Sequence, residues 1–535
     1  MKSIKKFLAV ILSMTLMLTL GTATFGAQKT LPSGKDTGSI NVTNLKPGDT
    51  VTAYQFVKAD YNEYGFTGYS AINNYVKDPV APTAQEVINM ASNAATMTVA
   101  AEKKVDTGDT EVTINGLPVG YYLVMVTSGS ETVYSPMIAG IYYSKSATDN
   151  TLKNGAISAD SDFEIKAQKC WAKSSTPKLE KTIVTPSSKN SKGDDIAIGD
   201  KITFKLSATV PSYSKEYKKV TYKIYDIMSE GLDYADGSMK CFIEKYENNR
   251  ENIKVTPKVN GGIIEITFDS KFILEHPGQK IQVEYQAKLN EKAGVNFDAN
   301  INKAYLEYSN NPASGSTAKT GEDKVYVYTF GIDSNLFGKS TEKWNEKTKE
   351  LIKVEEGEYQ WGETEKESGI FTTTTALEGA TFTLTNNKTK KSYTATSDKY
   401  GYLKFTGLDA GEYTLQETDA PDGFTLNDAK HTVVITAEYN QDGTLKSYTI
   451  KIDDKATSTY TATYDKGVIK TITSTKDSQG NISESAILKN SKMSFLPSTG
   501  GVGTTIFAIV GVVFVATALG LHMILRGKSK LEQDR

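Results

Sequence analysis

Short runs of alternating character recur along most of the chain, and they leave few architectures open. Thr203-Phe-Lys-Leu-Ser-Ala-Thr-Val210, Ile263-Ile-Glu-Ile-Thr-Phe268, Ile281-Gln-Val-Glu-Tyr-Gln-Ala287 and Val433-Val-Ile-Thr-Ala437 alternate or cluster β-formers between Gly, Asn and Asp turns. A period of two puts successive side chains on opposite faces, so each run reads as a strand with one face buried. Thirty tyrosines and abundant threonine suit the exposed faces of such strands. Strands at this spacing predict an all-β chain of tandem immunoglobulin-like β-sandwich domains. One segment breaks the pattern: Thr83-Ala-Gln-Glu-Val-Ile-Asn-Met-Ala-Ser92 predicts a helix capped by Thr83, with Glu86 completing the cap.

The two ends read as processing signals. A basic start (Met1-Lys-Ser-Ile-Lys-Lys6), an apolar run from Phe7 to about Leu20 and the small-residue stretch Gly21–Ala27 predict a secretory signal peptide over 1–27. Cleavage fits after Ala23, Gly26 or Ala27; the apolar run is too short to span a bilayer comfortably. Thr504–Leu525 is apolar and close to the ~20 residues a membrane-spanning helix needs. The tail 526–535 opens with Arg526-Gly-Lys-Ser-Lys530, a basic cluster that stays cytoplasmic by the positive-inside rule. The body is therefore expected outside the cell.

Between the ends, roughly 470 residues suggest three domains, at 30–170, 175–318 and 325–493. Ala172–Lys178 and Asn310–Ser316 are the Pro/Ser-rich boundaries, and the polar stretch Thr341 to Gly369 predicts a long exposed loop. Basic and acidic residues nearly cancel (61 and 63), so nothing points to nucleic acid. Two cysteines cannot build a disulfide framework in so long an exported chain; Cys170 and Cys241 are read as separate thiols. Three histidines argue against a histidine-based hydrolase or a zinc site, and no cofactor or metal is expected.

Leu496-Pro-Ser-Thr-Gly500, directly before the apolar span and basic tail, resembles the LPxTG sorting signal of sortase substrates. The span stalls the chain in the membrane, while Pro497 keeps the segment around Ser498 extended for an enzyme groove. The resemblance implies attack by a sortase cysteine on the Thr499 carbonyl, release of Gly500 onward, and resolution of the thioester by an amine.

Further resemblances lie in the domains. Ala376-Leu-Glu-Gly-Ala-Thr-Phe-Thr-Leu384, Phe405–Glu412 and Tyr413-Thr-Leu-Gln-Glu-Thr-Asp-Ala-Pro-Asp-Gly-Phe424 look like the B-type (Cna-B) domain of collagen adhesins and pilins. That likeness implies an internal lysine–asparagine isopeptide bond, with Glu417 as catalytic acid and Asn490 as the asparagine. The lysine is Lys353, in Glu350-Leu-Ile-Lys-Val354, with Lys339 as the alternative.

The middle domain resembles the Cna-A-like (D2) domain of pilins, through Pro177-Lys-Leu-Glu-Lys181, Gly199–Phe204, Tyr222–Met228 and Ile301–Pro312. By that likeness Lys181 bonds Asn302 with Asp226 as catalytic acid, and Asn310 is the fallback asparagine. The chemistry wants these residues in an apolar core. Burial disfavours charge, so a lysine can lose its proton and attack, while a carboxyl keeps one and polarises the amide. The first domain is pilin-like in Asn115–Val124 and Val133–Met137 and holds no such triad.

The whole chain thus resembles a Gram-positive, sortase-assembled major (backbone) pilin. The family supplies an acceptor lysine near the end of the first domain; here Lys173 is the choice, in Trp171-Ala-Lys-Ser174 where a YPKN-like segment is usual, and Lys169 is second. The implied partners are a pilus-specific class C sortase, a housekeeping sortase, further copies of the chain, minor pilins, peptidoglycan and host surface proteins. The implied product is a cell wall-anchored surface fimbrium that serves adhesion. The other reading is a monomeric LPxTG-anchored adhesin of the same domain types. Neither is an enzyme beyond single-turnover chemistry on itself.

Overall fold

The computed structural model describes residues 31–129, 131–144, 163–184, 190–244, 249–332, 338–341, 378–397, 403–453, 456–476 and 487–490. The signal peptide, the 342–377 stretch with Lys353, the sorting motif, the 504–525 segment and the tail lie outside these residues. Within them the chain is mostly β, in three bodies with a hydrophobic cluster centred on each.

In the first body, Thr37–Thr43 pairs antiparallel with Glu111–Pro118 and parallel with Lys169–Trp171. A six-stranded sheet faces it: Gly65–Ala71, Thr50–Asn62, Gly120–Thr127, Met137–Ser144 and Glu164–Ala167 in spatial order, with Val99–Lys104 also on Thr50–Asn62. The helix forms at Ala84–Ser92, with Thr83 and Glu86 making reciprocal capping bonds. Its buried Val87, Met90 and Ala91 pack into the first core at the 3.6-residue period, while Ile88 joins the cluster of the second body.

The second body is a sandwich of two sheets. One runs Leu179–Ile183, Lys201–Thr209, Lys280–Leu289, Lys240–Glu244, Arg250–Ile253. The other runs Gly193–Asp195, Asp323–Tyr328, Asn300–Asn311, Tyr222–Met228, Ile263–Thr267, Lys258–Asn260. Pairing continues past position 318. Ser316–Lys319 and Asp323–Tyr328 both lie on Asn300–Asn311, so this sheet ends only at Tyr328.

The third body has a seven-stranded meander, Ser392–Thr396, Thr381–Asn386, Gly411–Asp419, Lys430–Tyr439, Leu445–Ile452, Ala456–Asp465 and Val468–Lys476. Two short pairs accompany it: Phe330–Ile332 with Phe405–Leu408, and Gly338–Thr341 parallel to Ile487–Asn490.

The joins combine apolar packing, Ile88 and Val133 with the second cluster and Phe297 and Tyr328 with the third, with directional polar contacts. Tyr308 donates its hydroxyl hydrogen to the Glu131 carbonyl, tying the first two bodies. Between the second and third, Asp195 accepts from the Ala410 amide (2.5 Å) and the Tyr439 hydroxyl (2.6 Å), and the Asn190 side chain donates to the Asn440 carbonyl (2.6 Å). A Cβ on Gly193 would meet the Gly443 carbonyl oxygen at 2.2 Å, so the two backbones pass where no side chain fits.

Burial at the join, helped by neighbouring Asp194 and Asp409, pushes the Asp195 carboxyl up from an ordinary 3.8 to about 6. The joined state therefore holds its proton more tightly than separated bodies do. The contribution is fully present below about pH 3.8 and is lost as pH rises through about 6. Small-angle scattering should find the second and third bodies held more rigidly at pH 5 than at pH 8, and Asp195→Asn should flatten that difference.

Candidate functional site

Strand parity brings the middle cluster together. On Leu179–Ile183 the inward stripe is Leu179, Lys181 and Ile183; on Tyr222–Met228 it is Tyr222, Ile224, Asp226 and Met228. Asn302 lies on the inward stripe of Asn300–Asn311 with Ala304, Leu306 and Tyr308. Three polar side chains thus occupy positions where alternation calls for apolar ones, and Lys181, Asp226 and Asn302 are each 0% exposed. Lys181 comes from one sheet, Asp226 and Asn302 from the facing one, and they meet across the core.

Lys181 Nζ contacts Asp226 Oδ2 directly. It also lies 3.1 Å from the Tyr285 hydroxyl, 5.1 Å from the Phe204 ring centre and 5.3 Å from that of Tyr285. The Tyr285 hydroxyl donates to Asp226 Oδ1 (2.7 Å) and accepts from Asn302 Nδ2 (2.7 Å). Asn302 Oδ1 is buried and has no hydrogen-bond partner among the described residues. Burial pulls the Lys181 ammonium below its ordinary range, while Asp226 opposes that pull. The result is a nucleophilic amine, an acid and a primary amide in one dry core.

Two residues here escaped sequence reasoning. Tyr285 sits on the inward stripe of Lys280–Leu289, where it looks like one more core aromatic; a tyrosine opposite a buried lysine was the available signal. Asp323 accepts the Lys181 amide hydrogen (2.7 Å) and the Lys192 ammonium (2.6 Å), fixing the opening strand at its edge. Asn310 stands apart from the cluster, accepting from the Ser316 hydroxyl at 2.8 Å.

In the third body, Glu417 follows Tyr413 and Leu415 on the inward stripe of Gly411–Asp419 and is 2% exposed. The Asn427 amide donates to its Oε2 at 2.8 Å. The parallel pair sets Lys339 against Leu488 and Thr341 against Asn490. Lys339 and Asn490 are therefore two register positions apart on neighbouring strands. Lys353 lies outside the described residues.

Lys173 is exposed, but its backbone is held. The Ala172 amide donates to the Thr43 carbonyl (2.9 Å), the Ser135 amide donates to the Lys173 carbonyl (3.0 Å), and Ser174–Ser175 pairs with Val133–Tyr134. Lys169 is also exposed, on the short strand Lys169–Trp171. The cysteines are free and buried, Cys170 in the first core and Cys241 in the second.

Residues 35–174 match the T6 antigen Ig-like domain, residues 370–451 the SpaA prealbumin-like fold domain, and residues 489–530 the LPXTG cell wall anchor motif. Together with the fold, they make the chain similar to a backbone pilin that carries an LPXTG cell wall anchor motif. Along its length the chain is similar to the trypsin-resistant surface T6 protein of Streptococcus pyogenes serotype M6. The two are 26% identical over 546 residues, which cover 93% of this chain and 96% of that protein. In fold it is similar to the T6 backbone pilin of serotype M6 Streptococcus pyogenes, described as a modular three-domain structure, with a TM-score of 0.56 and 20% identity over 86% of this chain and 100% of that one.

Burial pushes both cysteine thiols up to about 12, so neither forms thiolate near neutrality. Iodoacetamide at pH 8 should leave the mass of the native protein unchanged and add two carbamidomethyl groups once the chain is unfolded.

Proposed function

We propose that this protein is the shaft subunit of a covalent pilus. A class C sortase cleaves after Thr499 and passes the thioester to Lys173 of the next subunit. A housekeeping sortase joins the finished fibre to peptidoglycan, minor pilins complete it, and it serves surface adhesion. The observation that carries this reading is the likeness over nearly the whole chain to the surface T6 protein, together with the likeness in fold to the T6 backbone pilin. Lys173 suits the acceptor role because its side chain reaches solvent from a backbone fixed on both sides. An immobile anchor presents its amine in one geometry, which lowers the entropy lost in meeting a bulky enzyme-bound subunit.

Internal bonds belong to the same proposal. In the middle body Lys181 Nζ attacks Asn302 Cγ, the new C–N bond replaces the Cγ–Nδ2 bond, and ammonia leaves with one proton from the amine. Asp226 is the acid that handles that proton. The contacts of Lys181 with Asp226 and Tyr285, and of Tyr285 with Asn302, support this assignment. In the third body Glu417 serves a bond to Asn490. The parallel pairing of Gly338–Thr341 with Ile487–Asn490 supports Lys339 as its lysine. Each tie restricts the unfolded chain as a disulfide does, by on the order of a few kcal/mol.

Two measurements test the proposal. The mature protein should weigh about 17 Da less than its sequence for each bond, about 34 Da for both. Lys181→Ala should restore one ammonia, and Lys339→Ala rather than Lys353→Ala should restore the other. Immunoblots of boiled, detergent-treated wall extracts should show a high-mass ladder that collapses in Lys173→Ala. A ladder in both strains moves the linkage to another lysine, Lys169 first. A single wall-anchored band in both overturns the shaft reading in favour of a monomeric adhesin.

A further inference from the structure

The acid and the amide of the middle cluster are not in direct contact. Asp226 spends Oδ2 on Lys181 and Oδ1 on the Tyr285 hydroxyl, and no hydrogen bond joins it to Asn302. What joins them is one phenolic oxygen, 2.7 Å from the carboxylate, 2.7 Å from the nitrogen that must leave and 3.1 Å from the nitrogen that must attack. We propose that Tyr285 is a catalytic residue of the Lys181–Asn302 bond, relaying the proton from Asp226 to the departing nitrogen of Asn302. The inference rests on the bond proposed above and assigns the route its proton takes.

The step balances as follows. Lys181 attacks Asn302 Cγ as a neutral amine, and its nitrogen becomes cationic in the tetrahedral adduct. Asn302 Nδ2, a hydrogen donor while it is an amide, becomes a basic amine in the adduct and accepts instead. The phenol gives Nδ2 its proton as the Cγ–Nδ2 bond breaks. Tyr285 regains a proton from the Asp226 carboxyl, which takes one from the former lysine nitrogen. One proton has moved from Lys181 to ammonia, and tyrosine and aspartic acid end as they began.

Burial and the Asp226 charge hold the Tyr285 hydroxyl well above the ordinary phenol range. A free phenoxide is therefore disfavoured, and the two transfers run in concert. The ring is held for the task by Phe204 at 5.5 Å and Tyr234 at 5.9 Å between centroids.

The test is the rate of bond formation in the full chain, followed by intact mass and by the Lys181–Asn302 cross-linked peptide after pulsed cell-free synthesis. Tyr285→Phe keeps the ring and removes the relay, and should slow the bond by about 100-fold, the usual scale of a lost acid–base group. Circular dichroism reports whether that variant folds. If it does not, 3-fluorotyrosine at position 285 keeps the geometry and makes the phenol more acidic, and the relay requires the rate to change. A wild-type rate in folded Tyr285→Phe, or in the fluorinated protein where Tyr285→Phe is unfolded, overturns the relay while leaving the bond intact. Absence of the cross-linked peptide from wild type overturns the bond itself, and the relay falls with it.

Discussion

A lysine side chain with no access to water is the constraint around which the middle sandwich is organised. Taking an ammonium and a carboxylate out of water costs several kcal/mol per ion, and attraction offsets this only with close contacts on every side. Lys181 has them: the Asp226 carboxylate, the Tyr285 hydroxyl and two aromatic faces. Removing any one leaves a charge or a donor stranded in an apolar core. Conversion of Lys181 and Asn302 to an amide would remove the ammonium altogether and leave a neutral group that the same polar atoms can solvate. The arrangement that costs most in the unreacted core is thus the one the proposed reaction consumes.

The same constraint locates the chemistry along the chain. Lys181 lies on the strand by which the chain enters the middle body, and Asn302 on a long strand whose partner, Asp323–Tyr328, carries the chain out. A tie between them shortens the path that tension takes through the sandwich. Outside it, load passes through joins that pair shared apolar packing with directional hydrogen bonds, Tyr308 to Glu131 on one side and Ala410 and Tyr439 to Asp195 on the other.

Much of this was legible in the sequence because period-two alternation is a local signal. The sandwich strands and the capped helix at Ala84–Ser92 follow from local spacing, whereas Lys181, Asp226, Asn302 and Glu417 are marked by the likeness to isopeptide-forming pilin domains. The sorting signal is more local still, five residues followed by an apolar span.

Pairing across the core is not local, and only the tertiary structure decided it. Tyr285 reads in sequence as an ordinary inward aromatic, and its hydroxyl acquires meaning only where two sheets set it between Asp226 and Asn302. Asp323 gains its place at the edge of the opening strand in the same way. The second body runs on to Tyr328 because strands distant in sequence pair there, although a Pro/Ser-rich stretch had marked its end earlier. The parallel pairing of Gly338–Thr341 with Ile487–Asn490 likewise joins segments far apart in the chain. Sequence determined which side chains face inward, since that depends on backbone alternation alone. Which of them touch depends on sheet order and register, which the whole core sets together.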